Sequence, residues 1–317
     1  MNSRKQATCV FFSNGVGDHV LCLPALRALG EVLNGEFVLA YPVGPQGFIF
    51  DDLKVHRTVQ IPFESGATFE PKVAASLIGK VDRFVSLTSW MSPSLSGLIS
   101  ELRPTWSLGF FPEFQRQIAL DFGIHSADLA FQIPRDLTGG LRLEDFSARI
   151  PLPEEAVRKA IDLRIMMGPG TRILAVHNET RQRKMWDAEL FESTIRAFLD
   201  SHSDFVALSI GMKPANFGHD RIIECNGILP LSQSFSLVAH ADYFLGVDSC
   251  MLHVADFARV PSVGLFGPTN AREFGFRLGP HITIQALGGM EQIRGSQVSA
   301  ALESIVENSN QRTVQLV

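Results

Sequence analysis

The sequence predicts an α/β fold made of two parallel, doubly wound sheets. Three observations predict it. Short apolar runs alternate with amphipathic stretches of helix length. The alternation breaks near the middle of the chain at a stretch rich in Pro and Gly, then restarts. Gly, Asp and hydroxyl residues gather where apolar runs turn into helices. At 317 residues the chain can hold two domains, each with its own core.

Composition narrows the function classes. A hydrophobic fraction of 45% and a charged fraction of 19% are globular values. The net charge of -5 argues against capture of nucleic acid or of an anionic membrane by broad electrostatics. No apolar run approaches the roughly 20 residues needed to span a bilayer, which leaves peripheral membrane contact at most. The N-terminus turns from a short apolar run into Ser13-Asn14-Gly15 and reads as a first strand rather than a signal peptide. Cys9, Cys22, Cys225 and Cys250 form no CxxC pair, so neither a disulfide framework nor a zinc site is expected. A cytoplasmic, reducing location is the simplest expectation, and the oligomeric state stays open.

In the N-terminal half, Thr8–Phe12 is a buried strand followed by the loop Ser13 to Gly17. Asp18 opens a helical stretch in which Pro24 is either a kink or close to the true helix start. Strands are expected at Phe37–Tyr41, Val55–Ile61, Phe84–Leu87 and Trp106–Phe110, with helices at Lys72–Ile78 and Ser94–Leu102. Gly15 and Gly17 suggest a dinucleotide fingerprint, but its third Gly is Val20 and the next strand ends without an acid, so no nicotinamide cofactor is expected. These glycines otherwise let backbone approach a ligand. Asp18 is either a helix cap or a group facing that ligand. His19 reads as a bystander, since adjacent helix positions face different ways.

Gln132 to Gly140 reads as a break rich in turn residues, and Pro151-Leu-Pro153 leads into a helix over Glu154–Met167. Domains are expected at 1–155 and 156–317. The second half holds expected strands at Ile173–His177, Phe205–Ile210, Tyr243–Val247, Val263–Phe266 and Ile282–Gln285. Its helices are expected at Ala188–Ser201, Phe235–Ala241, Ser249–Ala258 and Gln297–Asn308. The loop after its first strand, His177 to Trp186, is basic and carries Thr180 and Lys184. Arg181 and Arg183 face either a ligand or water, while Glu179 would repel a diphosphate. Asp248 and Ser249 are cap residues by chemistry, at a helix start that follows a parallel strand and so favours an anion. His253 sits one turn into that helix.

Three motifs resemble glycosyltransferase family 9, the heptosyltransferase-like family. They are Gly17-Asp18 running to Pro24-Ala-Leu26, then Thr180-x-x-x-Lys184-x-Trp186, and third Asp248-Ser249-x-x-x-His253-x-Ala255 with Pro261 and Phe266-Gly-Pro-Thr269. Cys250 stands where the family usually has Gly. The resemblance implies a GT-B architecture, two Rossmann-like domains facing each other across a cleft. The N-terminal domain would bind the acceptor and the C-terminal one the nucleotide-sugar; in relatives the last helix packs back on domain one. It implies Asp18 as general base and Thr180 with Lys184 on the donor diphosphate. Asp248, Ser249, Cys250 and His253 would lie beside the donor, with Lys184 and His253 meeting charge on the leaving group.

The expected activity is therefore inverting, metal-independent transfer of a sugar, ADP-heptose being the expected donor, to a hydroxyl acceptor. No other cofactor is expected, and no DxD metal clamp is present in the sequence. Residues 1–160 hold 15 Lys and Arg against 17 Asp and Glu. That balance leaves both a lipopolysaccharide core and a small natural-product acceptor open. A sugar-nucleotide epimerase or hydrolase, and a non-catalytic nucleotide-sugar binding protein, are the alternatives.

Overall fold

The computed structural model describes residues 6–64, 68–213 and 217–315, with side chains up to 309. The chain divides into two compact units, Met1–Ala148 and Arg149–Val317. The expected boundary at 155/156 falls inside the helix Glu154–Met167 (α6). That helix packs on Leu231–Ala239 (α8) and so goes whole with the second unit.

The first unit carries strands β1 (Ala7–Phe11), β2 (Glu36–Pro42), β3 (Arg57–Ile61), β4 (Arg83–Ser86), β5 (Trp106–Gly109) and β6 (Arg116–Gln117). They form one parallel sheet in the order β3-β2-β1-β4-β5-β6. Its core is aromatic. Phe11 stacks on Phe84 with centroids 5.9 Å apart, and Phe84 on Phe114 at 6.4 Å.

Around it lie α1 (Val16–Leu21), α2 (Leu23–Val32), α3 (Pro71–Ile78), α4 (Pro93–Leu102) and α5 (Ser126–Thr138). Helix starts follow their capping chemistry. Ser92 accepts from Leu95 N–H at 3.2 Å with Pro93 next to it, and Glu70 accepts from Lys72 N–H with Pro71 between. Pro24 lies in the first turn of α2, so it marks a start and not a kink. Much of the expected break at Gln132–Gly140 is in fact α5, which carries Pro134 inside it. Its end comes at Gly139, with φ 66°.

The second unit repeats the pattern with β7 (Arg172–His177), β8 (Phe205–Ser209), β9 (Ile222–Glu224), β10 (Tyr243–Val247), β11 (Ser262–Phe266) and β12 (His281–Gln285). Its order, β12-β11-β10-β7-β8-β9, is the same winding read from the other edge. All pairs in both sheets are parallel. Its helices are α6, α7 (Ala188–Ser201), α8, α9 (Cys250–Ala258), α10 (Ala271–Phe274) and α11 (Gly295–Gln315). Val298, Leu302, Ile305 and Val306 of α11 join this unit's own core, beside α7, β11 and β12. No described helix is long and apolar enough to cross a membrane.

Candidate active site

In a doubly wound sheet, ligands bind outside the carboxyl ends of the strands where the winding reverses. In the second unit that point lies between β7 and β10, which pair with Gly246 opposite His177. A side chain at Gly246 would put its Cβ 2.9 Å from the His177 carbonyl, so glycine is what lets these strands approach here. The loops leaving the two strands, His177 to Trp186 and Asp248-Ser249, are thereby neighbours.

Both loops are held by hydrogen bonds. Asn178 closes the first: its amide donates to the Trp186 carbonyl and accepts from Trp186 N–H, each at 2.9 Å. The Trp186 indole N–H donates to the Ile293 carbonyl at 3.0 Å, and the ring is buried, as expected of a packing residue. Lys184 Nζ lies 2.7 Å from Asp248 Oδ2, with side chains 17% and 5% exposed. Thr180 Oγ1 donates to the Asp248 carbonyl at 3.2 Å. Thr180, Lys184 and Asp248, expected together from sequence, do meet.

Two sequence expectations need correcting. The Asp248 carboxylate does not cap α9; it turns to Lys184, whose ammonium donates to it. Ser249 occupies the cap position with extended backbone, but its hydroxyl makes no capping bond and is buried without a hydrogen-bond partner. The first-turn N–H groups of α9 thus receive no side-chain cap, which keeps the positive end of the helix dipole available. Glu179 does not point its charge at this loop alone. Its Oε2 accepts from the backbone N–H groups of Met212 at 2.5 Å and Lys213 at 3.1 Å. Arg181 and Arg183 are exposed.

Cys250 is the first residue of α9, and burial pushes its thiol up to about 11 against the pull of the Cys250 and Met251 N–H groups. It is a thiol, not a thiolate, at neutral pH. His253, one turn on, is buried. His177 is buried too; burial lowers its pKa, and its Nδ1 lies 2.7 Å from the Ile210 carbonyl, so a neutral ring donates there. Among the described residues no group of three or more His, Cys, Asp or Glu is arranged to hold a metal ion.

In the first unit the winding reverses between β1 and β4. Ser13 N–H donates to Thr88 Oγ1 at 3.1 Å, tying the two loops there. Helix α1 begins at Val16 with Gly15 as its cap residue, so Asp18 is third in the helix rather than its opener. Its Oδ2 accepts from Gly15 N–H at 3.2 Å, which is the capping arrangement. Gly15 has φ -74° and room for a Cβ, 3.8 Å from the nearest heavy atom, so the fold itself does not demand glycine there. Gly17 lies within α1. His19 is fully buried against Phe12 and Phe50, consistent with a bystander.

Asn178 and Glu179 are the site residues the sequence reading undervalued. Nothing in the order of residues says that one will clamp its own loop and the other will reach the loop after β8.

Two parallel doubly wound units of the same strand order are the fold of the GT-B kind, and the second carries a basic, hydroxyl-bearing loop beside an uncapped helix start. The model of glycosyltransferase family 9 (heptosyltransferase) matches residues 152–293, within the second unit. No curated protein matches the chain by sequence.

Solved structures agree on the fold. A glycosyl transferase family 9 protein from Veillonella parvula is similar with a TM-score of 0.79 at 18% identity, over 97% of this chain and 99% of that one. The ADP-heptose lps heptosyltransferase II of E. coli gives 0.72 at 14% identity, over 96% and 100%. The E. coli heptosyltransferase WaaC with ADP gives 0.70 at 15%, over 95% and 100%.

Proposed function

We propose that this glycosyltransferase moves a sugar from a nucleotide-sugar to an acceptor hydroxyl with inversion and without a metal ion. ADP-heptose is the first donor to test. The observation that carries the reading is the pairing of Lys184 with Asp248 beside the uncapped start of α9. An ammonium donates three hydrogens and the carboxylate takes one, leaving donors for a diphosphate next to free helix N–H groups. Thr180, Ser249, Cys250 and His253 line the same corner in this reading.

In the proposed step Asp18 removes the proton from the acceptor hydroxyl. The hydroxyl oxygen bonds to the anomeric carbon from the face opposite the diphosphate. The bond from that carbon to the diphosphate oxygen breaks, and its electron pair leaves with the nucleotide. Lys184, His253 and the α9 dipole meet the charge that develops there. General-base help is worth about 10² to 10⁴-fold.

The test is Asp18→Asn, since asparagine keeps an oxygen for Gly15 N–H and so keeps the helix start. Incubation with ADP-heptose, UDP-sugars and GDP-sugars, each with EDTA and with candidate acceptors, is read by mass spectrometry. The expected loss is at least about 100-fold in transfer with nucleotide binding unchanged. A loss within about threefold removes Asp18 from the chemistry. Release of free nucleotide without acceptor would favour a hydrolase or epimerase instead.

A further inference from the structure

We propose that the second unit binds a small carboxylate, with an apolar body of benzene size, in a cavity towards the end of α9 opposite Ser249. The inference stands apart from the donor reading. Helix α6 packs on α8, and α8 on α9. Where α8 and α9 end, the three helices leave a cavity of about 210 Å³. Its apolar walls are Ile150 ahead of α6, Val157 of α6, Ala239 of α8, and Val254 and Ala258 of α9. An engineered apolar cavity of about 150 Å³ takes a benzene, so this one has room for a ring and one short polar group. A nucleotide is too large for it. Its occupant would nonetheless touch α9, the helix that opens at the proposed donor corner.

Charge selects the polar group. Arg149 and His240 are the ionisable residues that line the cavity, and among the described residues no carboxylate lines it. The His240 ring is held in place as a wall, its Nδ1 2.8 Å from the Ser236 carbonyl. Arg149 supplies the charge. Arg259 follows Ala258 at the end of α9. Burial lowers the Arg259 pKa; Asp256 opposes that shift and Arg149 adds to it, so the two guanidiniums are close enough to repel. The Asp256 carboxylate is engaged elsewhere, accepting from the N–H groups of Arg277, Leu278 and Gly279. The carbonyl ends of α8 and α9 would disfavour an anion, but other cations answer them. Arg164 donates to the His240 carbonyl at 2.8 Å, and Arg259 to the Phe257 carbonyl at 2.6 Å. An ammonium in this cavity would face a guanidinium and no acid. A carboxylate finds a planar donor in Arg149 and offsets the repulsion between the two arginines.

The experiment titrates the whole protein with three probes that share one ring and differ in charge: benzoate, benzyl alcohol and benzylamine. Binding is read by ligand-observed NMR and by thermal unfolding. Benzoate is expected to saturate with a Kd of about 1 mM or below, at least about tenfold tighter than either other probe. Arg149→Gln should weaken benzoate by at least about tenfold and leave benzyl alcohol within about threefold. Ala239→Phe fills the cavity from the α8 wall, and Val157→Phe fills it from α6. Each filling variant should abolish benzoate binding while the protein still unfolds cooperatively, and either one alone is enough for the test.

Equal affinity for the three probes, a preference for benzylamine, or no saturation by benzoate up to about 10 mM overturns the proposal. Benzoate binding that survives in a folded filling variant overturns it as well, because the anion then sits elsewhere on the protein.

Discussion

Lys184 and Asp248, proposed above to hold the donor, also bear on folding. The Asp248 side chain is almost wholly buried, so its charge is tolerable because Lys184 stands 2.7 Å away. Removing the lysine leaves a desolvated carboxylate behind. Lys184→Met should therefore cost about 2–3 kcal/mol in thermal or urea unfolding, and Lys184→Met with Asp248→Asn should recover part of that loss. Additive losses would mean that the pair is solvent-screened and holds nothing. His19 is the other residue whose burial sets a measurable quantity. Burial lowers its pKa to about 4, with contact to the Phe12 backbone opposing the shift. The unfolded chain then binds a proton near pH 6.5 that the folded chain refuses until about 4, so stability is kept above 6.5 and lost as pH falls through this window. The loss attributable to His19 is roughly 3 kcal/mol, and His19→Phe should flatten that part of the stability–pH curve. An unchanged slope between pH 6.5 and 4 would mean that His19 titrates like an exposed histidine.

At the scale of elements, the loop from His177 to Trp186 owes its shape to the two amide bonds of Asn178 and to the Trp186 indole. Asn178→Ala should cost roughly 2 kcal/mol, about one per lost bond, and speed amide exchange in residues 180–185. Exchange unchanged there would assign the loop's order to Trp186 alone. The elements differ in how legible they were. Helices α6 and α7 announce themselves, with acids early in both, Asp187 capping the second and Gly168 ending the first. Strands β6 and β9 are two and three residues long at sheet edges and carry no alternation for a sequence to display. Helix α5 was hidden by Pro134, whose local meaning is a break and whose burial in the packed unit overrides it. The site was legible in residue types and not in directions. Lys184 and Asp248 could each be named, but 64 residues separate them, and the sequence does not say that the carboxylate turns from the helix to the lysine.

For the whole molecule, the repeated winding has a consequence for folding. Each unit has a complete six-stranded parallel sheet. The second unit's core, from Leu174 to Val306, draws on β7, β8, β10, β11, α7 and α11, all of them its own. The last helix fills this core from Val298 to Val306, so a cut at the unit boundary removes none of it. Residues 149–317 should therefore fold when expressed alone, with a cooperative thermal transition. The corner of Thr180, Lys184, Asp248 and Ser249 lies wholly inside that fragment. In calorimetry the fragment should bind a nucleoside diphosphate within about tenfold of the full chain, because the contacts proposed for the phosphates need nothing from residues 1–148. It should transfer no sugar, since Asp18 is left behind. A folded fragment that has lost the nucleotide would mean that the first unit contributes to donor binding, and the division of labour between the units would have to be redrawn.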